Sequence, residues 1–263
     1  MAAGGTWDDL SARLASSVAM GVAGVVLIAL GGLWFAGLAA VVSGIMIWEL
    51  GRMMGPGTGR LPVGLGVLTG GTVLAAFALP GIYALPLLAA PALVGAGRMP
   101  RDRVIYAVYA LAIALAGYAL ARFRVDQGMA WMVWLVLVVI ATDVAGYFAG
   151  RFIGGPKFWP RVSPKKTWSG TLAGWVSAGL AGAVFAALTG AGAGLALVSV
   201  VLSFASQMGD VAESAIKRRT GVKDSSSLLP GHGGLADRFD GLLGAALCLL
   251  LASVFFQLPE VRF

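Results

Sequence analysis

The residues able to do chemistry gather in one stretch, positions 214–240, which reads SAIKRRTGVKDSSSLLPGHGGLADRFD. Its 27 positions hold five basic residues, three aspartates, the only histidine of the chain and a Pro-Gly-x-Gly-Gly turn. Leading into it, Asp210 and Glu213 stand with Ser214 and Lys217 of the stretch at i, i+3, i+4 and i+7, one stripe if the apolar helix runs on. Asp237 and Asp240 share a face at the start of the next apolar run. A helix N-terminus favours anions, but neighbouring carboxylates repel unless a cation bridges them. Carboxylate and hydroxyl oxygens suit Mg²⁺, so this pattern predicts a metal site. Between the pairs, Gly231, Gly233 and Gly234 let backbone amides crowd an anion. His232 is either an acid–base group or a hydrogen-bond donor to phosphate. Zinc is disfavoured, because one His has no second soft ligand near it.

Two upstream features add to this. Asp143 interrupts an apolar run, with Tyr147 four residues on and on the same helical face. A carboxylate there needs a metal, a cationic partner or a polar cavity, or else serves bundle packing. The loop RFIGGPKFWPRVSPKKTWSG carries Lys157, Arg161, Lys165 and Lys166. Ser163 and Thr167 flank the paired lysines and offer hydroxyls to phosphate oxygens. The same lysines also fit a positive anchor touching lipid headgroups. Glu49, three positions before Arg52, reads as half of a solvated helix-end pair.

The elements that must position these groups are membrane helices. Of 263 residues, 59% are hydrophobic and 12% charged, and mean hydropathy is +0.87. Soluble domains carry about 25% charged residues. The expected fold is an all-α, polytopic integral membrane bundle of about nine transmembrane helices. Apolar runs fall at 16–33, 34–50, 61–79, 81–97, 103–121, 129–150, 168–189, 192–212 and 238–258, near the ~20 residues a span requires. Eight spans is the alternative, since 81–97 contains Pro86 and Pro91. With nine, sixteen of the nineteen Lys and Arg residues fall on one side, and positive loops stay in the cytoplasm. Residues 1–128 are expected to be scaffold, and 129–263 the catalytic region with cytoplasmic loops 151–169 and 213–239. The 39 glycines let helix backbones approach closely in lipid. A net charge of +7 reads as orientation and attraction to anionic headgroups, with no nucleic-acid partner. Cys248 is alone, which removes disulfides and cysteine metal sites. Asp8, Asp9 and Arg13 precede the first apolar run, so no cleavable leader is expected.

The 214–240 stretch resembles the signature of the phosphatidate cytidylyltransferase family (CDP-diacylglycerol synthases). Ser214, Lys217, Arg218, Lys223, Asp224, Ser226, Pro230, His232, Gly233, Gly234, Asp237, Arg238 and Asp240 fill that signature without a gap. Ser163-Pro164-Lys165-Lys166-Thr167 resembles a second family run, and Asp143 with Tyr147 a third feature. One departure is Ser169, where the family usually has Glu.

The resemblance implies a reaction of CTP with phosphatidic acid giving CDP-diacylglycerol and pyrophosphate, with Mg²⁺ required. It implies metal binding by Asp210, Glu213, Asp237 and Asp240, with Asp143 as a fifth ligand. Lys217, Arg218, Arg219, Lys223 and Arg238 would neutralise phosphates, while Asp224 and His232 join Lys223 and Arg238 at the chemistry. Ser163, Lys165, Lys166, Thr167, Ser214, Gly233 and Gly234 would contact CTP or the lipid headgroup. A homodimer in a bacterial inner membrane, its site facing the cytoplasm, is also implied. The rivals are a cation-coupled transporter, an enzyme consuming CDP-diacylglycerol and a lipid-binding scaffold. A transporter would spread charge through membrane depth and show inverted repeats, and this chain shows neither. The consuming class carries Asp-Gly-x-x-Ala-Arg, which Asp240-Gly241-Leu242-Leu243-Gly244-Ala245 does not match. A scaffold would have no use for the carboxylate set.

Overall fold

The computed structural model describes residues 5–55, 57–229 and 233–255, with side chains from residue 18 onward. Among them are nine α-helices: α1 Gly5–Leu30, α2 Gly32–Met54, α3 Leu61–Ala78, α4 Ala84–Arg98, α5 Arg103–Asp126, α6 Met129–Phe152, α7 Trp168–Thr189, α8 Gly194–Thr220 and α9 Ala236–Ala252. Seven segments are long and apolar enough to cross a membrane, from α2 through α8, with α4 counted together with the turn before it as Gly81–Arg98. The chain is a multi-pass membrane protein. The expected apolar runs map onto these helices one for one. The 81–97 run stays a single element: a 3₁₀ turn, Gly81–Tyr83, opens it, and Pro86 lies in the first turn of α4, where a missing N–H costs nothing.

Local signals set the boundaries. Gly31, between α1 and α2, has φ of 63°, and Gly128 precedes α6 with φ of 90°. Pro62 occupies the first turn of α3. The α7 N-cap, Thr167, accepts a hydrogen bond from the Gly170 amide at 3.2 Å.

Two compact units divide the described chain. One runs to Arg122 and includes Thr220–Phe239; the other comprises Phe123–Arg219 and the chain from Asp240 on. In the first, α2 and α3 cross so closely that a Cβ on Gly44 would lie 2.8 Å from the Gly66 carbonyl oxygen. Ala40, Val73, Ala76, Leu88 and Ala114 form its apolar core. In the second, Trp131, Trp134 and Phe185 pack as an aromatic cluster. Buried polar bonds lock its helices: Trp134 Nε1 donates to Ser199 Oγ at 3.1 Å, and Thr142 Oγ1 to Ser203 Oγ at 2.8 Å.

The loop after α6 carries regular structure among its glycines and prolines. It folds into an antiparallel hairpin of β1 Lys157–Trp159 and β2 Ser163–Thr167, with Lys157 opposite Thr167 and Trp159 opposite Ser163. Aromatic and β-branched residues favour such pairing, and Phe158 meets Trp168 edge-on at 4.9 Å.

Candidate functional site

The hairpin carries its lysines to a cavity of about 550 Å³ in the second unit. That volume lies within the ~300–1,000 Å³ typical of small-molecule sites. Helix α6 gives the cavity Asp143 and Tyr147, β2 gives Ser163, Lys165 and Lys166, and α8 gives Asp210. Residues from three separate elements of the chain therefore meet around one space. A Cβ on Gly170 would lie 2.5 Å from the Gly146 oxygen, so the glycines let α6 and α7 converge below it. Thr167, also at the cavity, is bound up in local structure: it caps α7 and shares a 3.0 Å hydrogen bond with Ser169. Ser169 Oγ donates to the Gly154 carbonyl at 2.5 Å. The residue that departs from the family pattern thus ties the base of the hairpin to α7.

Lys166 is the best-defined cation of the cavity. Its ammonium lies 2.5 Å from Asp210 Oδ2 and donates to the Gln207 carbonyl at 3.2 Å. Gln207 accepts from Trp175 Nε1 at 3.0 Å and donates to the Thr171 carbonyl at 3.2 Å. Sequence reasoning missed Gln207, because an amide in an apolar helix carries no charge pattern to mark it. Asp143 is exposed into the cavity and lies within electrostatic reach of Asp210 and Lys166. Tyr147 OH accepts from Arg151 Nη1 at 2.9 Å.

On α8 the expected stripe forms. Ser214 Oγ donates to Asp210 Oδ1 at 3.3 Å, and Lys217 Nζ donates to Glu213 Oε2 at 2.8 Å. Glu213 is 0% exposed. Arg218 and Arg219 are exposed in the last turn of α8, where cations oppose the helix dipole. Asp240 lies within electrostatic reach of Asp210, Glu213 and Asp143. This donor set is all oxygen and mutually repulsive, which suits a hard divalent cation. Among the described residues no three of these carboxylates converge into one coordination sphere.

The glycine-rich loop, in the first unit, is arranged differently. Asp237 Oδ2 accepts from Ser225 N at 3.0 Å, Ser225 Oγ at 3.0 Å and Gly234 N at 2.8 Å. The Gly234 amide, expected to face an anion, is therefore taken by Asp237. Leu229 N donates to the Gly233 carbonyl at 2.9 Å, and Gly233 has φ of 85°, which favours glycine. Lys223, Asp224 and Arg238 are exposed. His232 lies outside the described residues.

Glu49 corrects an expectation. It is not a solvated partner of Arg52 but is 0% exposed, and its carboxylate receives hydrogen bonds from Ser225, Ser226, Leu235 and Ala236. Arg52 instead lies over the Trp48 ring, 5.1 Å from its centroid. No local pattern could reveal this, since the partners lie 176–187 positions downstream.

Fold and cavity together define a multi-pass membrane protein with lysines and carboxylates facing one open polar space. Residues 11–256 match the cytidylyltransferase family, and the chain belongs to that family. A Brucella suis protein named phosphatidate cytidylyltransferase is 48% identical over 147 residues, 54% of each chain. A Helicobacter pylori protein of the same name is 38% identical over 143 residues, 54% of this chain and 53% of that one. In these alignments the chain spans about half the length of the relatives it matches. A Bacillus subtilis protein, again so named, is 31% identical over 257 residues, 89% of this chain and 94% of that one.

Proposed function

We propose that the chain is a phosphatidate cytidylyltransferase, transferring CMP from CTP to phosphatidic acid to give CDP-diacylglycerol and pyrophosphate. The observation that carries this reading is the cavity in which Lys165 and Lys166 face Asp143 and Asp210. A phosphate-monoester oxygen of the lipid attacks the α-phosphorus of CTP. The bond from that phosphorus to the bridging oxygen of the β-phosphate breaks, and pyrophosphate leaves. The second pKa of such a monoester is near 6, so the nucleophile is already anionic at neutral pH and requires no strong base. The difficulty is bringing two anions together.

Lys166, fixed by Asp210 and the Gln207 carbonyl, holds an ammonium in place for phosphate oxygens before substrate arrives. Lys165 and Ser163 add charge and a hydroxyl at the same wall. Lys223 and Arg238, exposed beside the glycine-rich loop of the first unit, are further cations suited to phosphate. Asp143, Asp210, Glu213 and Asp240 are the residues that would hold Mg²⁺. When bound, the metal supplies charge neutralisation and Lewis acidity at phosphate oxygens. Asp237 acts through the loop that it closes. The basic loops argue for a site facing the cytoplasm of a bacterial inner membrane, and a homodimer is the proposed assembly. The test is Mg²⁺-dependent conversion of labelled CTP, with phosphatidic acid, into a lipid-extractable product by purified protein. Absence of labelled lipid with both substrates and metal present overturns the reading.

A further inference from the structure

The geometry points to Glu49 as the positioning residue of the glycine-rich loop, a role that rests on the cytidylyl-transfer reading. Oε1 accepts from Ser226 Oγ at 2.6 Å and Leu235 N at 2.8 Å; Oε2 accepts from Ala236 N at 2.7 Å and, at 3.2 Å, shares the single Ser225 hydroxyl proton with Asp237 Oδ2. Each oxygen thus takes one donor from each end of the loop, so one carboxylate staples Ser225–Ser226 to Leu235–Ala236. The backbone donors open α9, where a helix N-terminus favours negative charge. A fully buried carboxylate is tolerated only when its lone pairs are taken, and here four donors converge on it.

Two further observations fit a purpose-built clasp. Gly234 has no room for a side chain: a Cβ there would collide with the Glu49 carboxylate and the Ser225 hydroxyl. Glu49 itself stands where α2 packs closely on α3, since a Cβ on Gly51, two residues on, would meet Pro62 of α3 at 3.2 Å. Exposed charged side chains flank the stapled residues: Lys223 and Asp224 before them and Arg238, in the first turn of α9, after them. Glu49 therefore fixes the backbone from which those exposed groups project.

The test compares Glu49→Gln, Glu49→Asp and the double variant Ser225→Ala/Ser226→Ala in full-length protein in lipid nanodiscs. The readouts are kcat and KM for CTP and phosphatidic acid, and amide hydrogen exchange. In Glu49→Gln the amide NH₂ must face one of the two donor pairs. The expected result is a fall in kcat of about 100-fold, the scale set by ~1 Å misplacement, with KM for CTP changed less than about threefold. Exchange at Leu235 and Ala236 rises, while α6–α8 keep their protection. Glu49→Asp keeps the charge and recovers about tenfold of the loss. Wild-type kcat in Glu49→Gln, or exchange rising equally in α6–α8, overturns the proposal. If Glu49→Gln does not fold, the serine pair decides by the same two readouts, with a loss of about tenfold expected and none overturning. Exchange is read on the protein itself. A wild-type protein inert toward CTP would sink the functional reading while the loop's response still reports on the clasp.

Discussion

The glycine-rich loop and the hairpin-covered cavity use the same residue types to opposite ends. At the loop, Glu49 of α2 takes donors on both carboxylate oxygens, and Asp237 Oδ2 takes them from the Ser225 and Gly234 amides and the Ser225 hydroxyl. In the cavity, Asp143 is exposed into the open space, and Lys166 spans only Asp210 and one carbonyl. A saturated carboxylate has its hydrogen-bonding capacity spent on protein and holds shape. A charge facing open volume remains available to a ligand. Saturation, rather than residue type, separates carboxylates fixed within the fold from charges left facing open space.

The sharpest way to break this comparison is to remove the cavity's fixed cation. Lys166→Met leaves Asp210 without its ion pair and takes an ammonium donor from the cavity wall proposed to bind phosphate. Turnover should fall by about 10²–10³-fold, as for loss of one preorganised donor, with the thermal midpoint lowered only modestly. Steady-state kinetics beside a melting curve decides. A large loss of stability with little loss of turnover would make Lys166 a packing residue, and the contrast would collapse.

Next in size is Gly234→Ala. The added methyl has nowhere to go between Glu49 and Ser225, and overpacking of this kind costs about 1–3 kcal/mol. Thermal or denaturant unfolding should show that destabilisation, and turnover should fall with it, because the loop cannot close. An alanine variant of native stability would show that the clasp has slack.

Most of the fold was legible because the bilayer simplifies it. Long apolar runs broken by glycine, proline or charge leave few alternatives to helices, and the runs at 61–79 and 103–121 reappear as Leu61–Ala78 and Arg103–Asp126. The α8 stripe was legible because helical spacing alone brings Asp210 to Ser214 and Glu213 to Lys217. Two things were not. The 157–167 hairpin hid among prolines and glycines, and its strands are only three and five residues long. Glu49 was misread because its nearest charge in sequence, Arg52, is not its partner. Its partners lie at the far end of the chain. Periodicity reports on neighbours along a helix; a long-range clasp leaves no local trace.

A smaller effect sharpens the electrostatic half of the comparison. Asp143, Asp210, Glu213 and Asp240 share one field, and like charges destabilise the fold unless something neutralises them. Asp240→Asn should therefore raise thermal stability in chelator, by about 1 kcal/mol, and lose the stabilisation that millimolar Mg²⁺ gives the wild type. Differential scanning fluorimetry with and without Mg²⁺ reads both. If Mg²⁺ stabilises both proteins equally, Asp240 is not part of the metal-holding set.

The smallest effect should come from Arg218, exposed at the end of α8. Its guanidinium is in solvent and its charge is screened beyond about 8–10 Å at ordinary ionic strength, so Arg218→Gln should change stability by less than about 0.5 kcal/mol. Loss of a cation that only attracts anionic substrate should raise KM for CTP a few-fold and leave kcat alone, and even that effect should fade as salt rises. Lys166 should behave in the opposite way, with a loss in kcat that added salt does not erase. Titrating NaCl across both variants separates a charge that steers from a charge that is built in. Equal salt dependence in the two would mean that the cavity lysine, too, acts only at a distance.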